Sequence, residues 1–245
     1  MENYKYNSIA DAINKGIKKT KIKKTELAIS FSYSNKKLKD NKEIKFIQWN
    51  INAIKTCPFS TELCRSLCYA RKAEVQYPNV RNRRGIHTNL CNQIDFVSIM
   101  IEQISYELKH TKKRIYFRIH ESGDFMSFSY LEKWYQITNE FKGQNIVFMA
   151  YTKSLPFVKE LFEKYGKENV NIKFMSSIWA DTKKKMIDLT NYLDLKIYTS
   201  LSEEDLKKAV NYELCSCSAG SKENKTCATC KKCYEGTSNI SIQWH

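Results

Sequence analysis

"RIYFRIHESGDF", residues 114–125, decides how the chain is read. Its first half is nearly continuous in Ile, Tyr and Phe, the pattern of a strand covered on both faces. It then passes into His120, Glu121, Gly123 and Asp124. An apolar run that breaks into a turn of glycine and acids is the form of a parallel strand whose carboxyl end carries chemistry. Four more runs share the apolar half of this pattern: "IKFIQWNI" (44–51), "NIVFMAYT" (145–152), "NIKFMSS" (171–177) and "LKIYTSL" (195–201). "NISIQWH" (239–245) is a sixth candidate strand. Between them lie helical patterns over 91–110, 129–141, 155–166, 182–193 and 202–212. Strand and helix in alternation predict an α/β fold with a parallel sheet. The expected form is a (β/α) barrel-like or partial-barrel domain with cysteine-rich, cluster-binding segments near both ends; an open doubly wound sheet is the other arrangement this pattern allows.

With 245 residues, 42% of them hydrophobic, the chain can bury a core without cross-links. Seven Gly and three Pro leave little linker material, so one large domain is expected. No stretch reads as a signal peptide, and none approaches the roughly 20 apolar residues of a membrane span. The expected location is therefore a reducing cytoplasm, where nine cysteines point to metal before disulfides. The net charge of +15 is uneven: residues 1–55 hold thirteen Lys against five acids. "NKGIKKTKIKK" (14–24) carries six of those lysines. The expected organisation is a basic arm over 1–43 and a single domain over 44–245. The arm is either a nucleic-acid contact or a solvated lysine-rich segment; its lack of interleaved Arg and aromatic residues favours the second.

Eight cysteines fall into two groups. Cys57, Cys64 and Cys68 follow the first strand as C-x6-C-x3-C. Cys215, Cys217, Cys227, Cys230 and Cys233 form C-x-C-x9-C-x2-C-x2-C. Zinc sites commonly use two separated cysteine pairs. Three cysteines at a spacing of three suit an iron–sulfur cluster instead, with Cys217 or Cys215 as fourth ligand. The first group alone would leave one iron of a [4Fe–4S] cluster without a protein thiolate and open to a small molecule. Iron–sulfur is the favoured expectation, with one or two clusters, and zinc is the alternative. Cys91 opens a helical pattern and reads as a buried small residue.

The other strand ends supply Arg118, Glu121, Asp124 and Lys153 as candidate catalytic groups. Gly123, Tyr151, Ser176, His120 and the final His245 are candidate cofactor contacts. A small molecule or a host macromolecule is the expected substrate.

Taken in order, "CPFSTELCRSLCYARKAE", "HESGDF" followed by Trp134, "AYTKS", "CATCKKCY" and "ISIQWH" resemble the phage "gene product 88" family from about Ser34 to His245. The resemblance implies a phage or prophage protein at work inside a bacterial host. It also implies that Cys57, Cys64, Cys68, Cys227, Cys230, Cys233 and His245 are motif positions. A looser, fold-level similarity is to radical S-adenosylmethionine enzymes. They too place three cysteines after the first strand, though as C-x3-C-x2-C, and an acidic motif after the second. That similarity implies S-adenosylmethionine as a possible cofactor.

Overall fold

The computed structural model describes residues 31–33, 35, 38–208, 211–217 and 225–243. The lysine-rich 14–24 segment and His245 lie outside the described residues. In chain order the elements are β1 (Ser32–Tyr33), β2 (Ile44–Trp49), α1 (Glu62–Ser66), α2 (Tyr69–Gln76), α3 (Pro78–Cys91), α4 (Phe96–Lys109) and β3 (Arg114–Ile119). Then follow α5 (Phe128–Asn139), β4 (Ile146–Thr152), α6 (Leu155–Tyr165), β5 (Lys173–Ile178), α7 (Lys184–Tyr192) and β6 (Lys196–Leu201). The last are α8 (Glu203–Lys208), β7 (Glu213–Leu214), α9 (Cys227–Cys230), α10 (Lys232–Glu235) and β8 (Ile240–Gln243).

All eight strands join one sheet in the order β1-β2-β3-β4-β5-β6-β8-β7. Every pair is parallel except β1 with β2. The sheet is open: its edge strands β1 and β7 do not pair, so no closed barrel forms among the described residues. Nor does the order from β2 to β6 reverse, as a doubly wound sheet would require. Each strand is laid beside its predecessor in one direction. Right-handed crossovers then put the connecting helices on one face.

That geometry divides the core in two. Alternate residues of a strand point to opposite faces. Ile47, Trp49, Ile115, Phe117, Ile119, Phe148 and Ala150 pack on the helix side with Phe96, Leu131, Trp134 and Val158. Phe46, Tyr116, Met149 and Met175 face the other way, where Cys215, Cys217, Ala228, Tyr234 and Ile240 cover them. The C-terminal cysteine segment is thus a wall of the second core. Tyr234 anchors it, stacked on Tyr116 at 4.4 Å and meeting Phe46 edge-on at 5.6 Å. Phe31, Tyr33 and Leu38, within the stretch read as a basic arm, belong to the fold: Phe31 and Leu38 are buried and Tyr33 pairs with Ile47.

The expected helix over 91–110 is shorter, α4 alone, because Cys91 is the last residue of α3. Chain from Asn92 to Asp95 separates the two, with Asn92 and Gln93 donating back to Asn89 and Leu90 to end α3. Cys91 closes α3 and is buried, as its small-residue reading expects.

Candidate functional site

The loops at the carboxyl ends of β2, β3, β4 and β5 meet in one place. The loop after β2 carries Cys57, and α1 and α2 follow with Cys64 and Cys68. Thr61 caps α1 by accepting from Cys64 N at 3.2 Å, and Cys68 Sγ caps α2 by accepting from Arg71 N at 3.4 Å. Asp181, just after β5, ties this segment down by accepting from Leu63 N at 2.7 Å. Phe59 packs edge-on against Phe157 of α6 at 5.2 Å.

Cys57, Cys64 and Cys68 gather close enough to feel one another's charge. Burial pushes the Cys57 thiol up to about 12, with the Asp124 carboxylate adding to the shift. Burial also raises Cys64, while Lys153 opposes it. Lys153 Nζ donates to Ser177 O at 2.7 Å and Ser177 Oγ at 3.1 Å, and it lies over the Trp179 ring at 5.3 Å. Desolvation lowers its pKa to about 8, against the pull of Cys64, Asp124 and Asp181. Beside it opens a cavity of about 690 Å3, lined by Pro58 to Glu62, Arg65, Lys153, Ser177, Asp181 and residues of α7. One wall of that cavity is the cysteine segment itself.

The residues after β3 behave differently from their sequence reading. Asp124 is buried and accepts from Phe125 N (2.8 Å), Thr152 Oγ1 (2.6 Å) and Lys153 N (2.9 Å). It locks the β3 and β4 loops together, and burial raises its pKa against those bonds. Gly123 has φ +85°, and a Cβ there would stand 2.3 Å from Ile51 and 2.7 Å from Thr56. The close approach it permits is to the chain leading into Cys57. His120 turns into the helix-side core, with Nε2 2.9 Å from the Tyr130 hydroxyl and Phe125 and Trp134 around it. Burial drops its pKa to about 3. Ser176 also faces the helices, bonded to Thr190 at 2.7 Å. Neither His120 nor Ser176 reaches the cavity. Glu121 accepts from Asn35 Nδ2 at 3.4 Å, and its carbonyl accepts from the Tyr69 hydroxyl at 2.6 Å.

The second cysteine group lies on the sheet face. Cys215, Cys217, Cys227, Cys230 and Cys233 line a cavity of about 20 Å3 with Tyr151, Tyr234 and Ile240. Cys217 is pushed up to about 12: its bond with Cys215 lowers it, but the bond with Cys227 and burial prevail. Ser216 Oγ donates to Cys230 Sγ at 3.4 Å. Lys231, at φ 61°, breaks the run into two short helices and resets the direction of Cys233. Among the described residues no three His, Cys, Asp or Glu side chains form a closed ligand set.

Arg118 stands between the groups. Its guanidinium lies over the Tyr151 ring at 4.7 Å, and its Nε is buried with no hydrogen-bond partner. Desolvation works against its charge, but Tyr69, Tyr151, Glu121 and Tyr234 together hold its pKa raised. Two of these tyrosines directly follow cysteines, Tyr69 after Cys68 and Tyr234 after Cys233. Sequence reading missed Asp181, Ser177 and Tyr69. Asp181 and Ser177 follow the strand-end rule that found Asp124 and Lys153; Tyr69 carried no such signal.

Among the described residues no helix is long and apolar enough to cross a membrane. No solved structure matches the chain significantly, and no comparison supports a relation to radical S-adenosylmethionine enzymes. The "Gene 88 protein" of Mycobacterium phage D29 is 30% identical over 104 residues, covering 40% of this chain and 42% of that protein. Its counterpart in Mycobacterium phage L5 is 28% identical over 104 residues, covering 40% and 43%. The matched stretch thus spans less than half of each relative. The model of the "Gene product 88" family, in contrast, matches residues 17–236, nearly the whole length, and the chain belongs to that phage family.

Proposed function

We propose that this phage protein is a thiolate-ligated metalloprotein, with an iron–sulfur cluster at Cys57, Cys64 and Cys68 and redox chemistry on a small molecule taken into the adjoining cavity. The observation that supports the reading is that Cys57, Cys64 and Cys68 lie within reach of one another's charge on the segment whose Pro58 to Glu62 and Arg65 wall a 690 Å3 cavity at the strand carboxyl edge, although no cysteine itself lines it. The donor set fits: three cysteines and no histidine match a cluster with one iron left open better than a structural zinc site, which closes with four ligands. Such a cluster would supply electron transfer and a binding position for the small molecule. Lys153, held by Ser177 at the cavity wall, offers a positive charge and a proton to whatever lies there. Asp124 keeps the β3 and β4 loops, and with them Lys153, in register.

A second reading applies to the C-terminal group. Its 20 Å3 cavity has room for about one ion-sized occupant, which favours zinc held by four of the five cysteines. Under this reading the C-terminal metal staples the wall of the second core and takes no part in chemistry.

Anaerobic purification with assay of iron, acid-labile sulfide and zinc per chain tests both readings. The expected result is a brown protein in which replacing Cys57, Cys64 and Cys68 by serine removes iron and sulfide. Replacing Cys227, Cys230 and Cys233 should remove the remaining metal. A colourless protein free of iron and sulfide would sink the iron–sulfur reading, and zinc as its only metal would put the stapled, non-redox protein in its place.

A further inference from the structure

The chain has seven arginines, and five of them, Arg65, Arg71, Arg81, Arg83 and Arg84, fall within residues 65–84. That span is α2 and α3 with the end of α1. Between Glu62 and Asp95 the one acid is Glu74, buried in a 3.4 Å pair with Arg84. Arg65, Arg71, Lys72 and Arg81 are exposed and Arg83 is half-buried. Among the described residues none of these five cations forms an ion pair. Tyr69 and Tyr77 stand among them, 53% and 49% exposed. A surface lysine row is most often solvated, but this stretch of two successive helices is nearly all arginine in its exposed cations, in a chain that otherwise relies on lysine. Guanidinium groups bind phosphate in a bidentate fork and stack on bases, and exposed tyrosine rings offer further stacking platforms.

We infer that the α2–α3 surface binds single-stranded nucleic acid, with Arg65, Arg71, Lys72, Arg81 and Arg83 on phosphates and Tyr77 stacked on a base. Charge complementarity selects a polyanion, and the interleaved rings select a strand whose bases are unpaired. In the sequence this stretch is distinct from the lysine-rich 14–24 segment. Arg65 belongs both to this surface and to the cavity lining, so a bound strand would run past the cavity mouth.

Full-length protein titrated against fluorescein-labelled oligothymidine, read by anisotropy across salt, tests the inference. Each single-strand phosphate contact contributes about −0.7 to the slope of log affinity against log salt, so five contacts give about −3.5. Between about 50 and 200 mM salt this surface alone then loses about 100-fold in affinity. R71Q/K72Q/R81Q/R83Q should flatten the slope by about 2.8. K109Q/K112Q/K113Q/R114Q, an equal neutralisation at the amino end of β3, should leave it unchanged. Y77A should weaken binding about tenfold at fixed salt without moving the slope, and unlabelled duplex should compete poorly. Equal loss in both charge variants would mean diffuse attraction and overturn the inference. So would a slope unmoved by the α2–α3 variant, duplex competing as well as single strand, or capture by phosphatidylserine vesicles through the same residues. Circular dichroism of each variant confirms that the fold survives.

Discussion

Replacing Gly123 by alanine loads two costs onto one added atom. The backbone there sits at φ +85°, where an L side chain is strained by about 1–2 kcal/mol. The new Cβ would also stand 2.3 Å from Ile51 Cγ1 and 2.7 Å from Thr56 Oγ1. Ile51 is fully buried, so the neighbours have nowhere open to go, and forced overpacking of this kind costs about 1–3 kcal/mol. The sum is about 2–5 kcal/mol, against about 5–15 kcal/mol for a whole domain. In a chain of this size that lowers the melting temperature by about 4–20 °C. The displaced segment leads into Cys57, so metal retention at the first cysteine group should fall with stability. Thermal unfolding of G123A, I51A and the double variant forms a cycle. Removing the Ile51 branch relieves the nearest clash, and the pair should be less destabilised than the sum of the singles by about 1 kcal/mol or more. Strict additivity, or a cost for G123A below about 1 kcal/mol, would refute the claim that Gly123 serves the contact between the two loops.

Other residues give independent checks. Asp124→Asn turns a donor toward backbone N–H groups that need an acceptor, and should cost about 1–3 kcal/mol in urea unfolding; Thr152→Val, which removes one of the three bonds, should cost less. His120 is neutral in the folded chain down to about pH 3 but binds a proton in the unfolded chain below about pH 6.5. Unfolding therefore takes up a proton in that window, and stability contributed by the neutral imidazole is lost as pH falls from about 6.5 toward 3, at up to about 1.4 kcal/mol per unit. His120→Gln should flatten this part of the stability–pH curve, and an unchanged curve would contradict the burial assigned to the ring. Cys91→Ala should leave iron, sulfide and zinc contents as they were, because Cys91 packs beside Trp49 and Tyr130 in the helix-side core. A loss of metal in that variant would tie it to one of the cysteine groups.

The five central strands were legible because each is a run of Ile, Val, Phe and Tyr too long and too apolar for a half-exposed element. Ile115 and Tyr116 illustrate why: one packs under the helices, the other under the C-terminal cysteine segment, so both alternate positions are apolar. The edge strands β1 and β7 were not legible, since two residues carry no periodicity. Helix α3 was hidden for another reason. It buries Arg84, His87 and Thr88, whose partners are Ala70 O, Asn50 O and Arg84 O, and polar residues facing inward erase the apolar stripe. At the site, the strand-end rule located Asp124 and Lys153 but could not assign their work. The sequence "HESGDF" holds five polar or glycine positions in six residues. Only the fold separates His120, turned into the core, from Asp124, turned onto the next loop. The cysteine spacing predicted two groups; that the second would roof the sheet was unreadable, because it depends on Tyr234 meeting Tyr116 across more than a hundred residues.

The position of β8 between β6 and β7 has a consequence for how the protein is made. Residues 213–243 follow every other strand in the chain, yet they supply two strands of the sheet and the cover over Phe46, Tyr116 and Met149. During synthesis the first six strands emerge with that face bare and β6 exposed as an edge, the kind of surface on which partly made chains associate. The vulnerable interval closes only when Tyr234 and its flanking cysteines leave the ribosome and dock. A stalled or clipped chain lacking them should therefore accumulate as aggregate rather than as a smaller soluble domain.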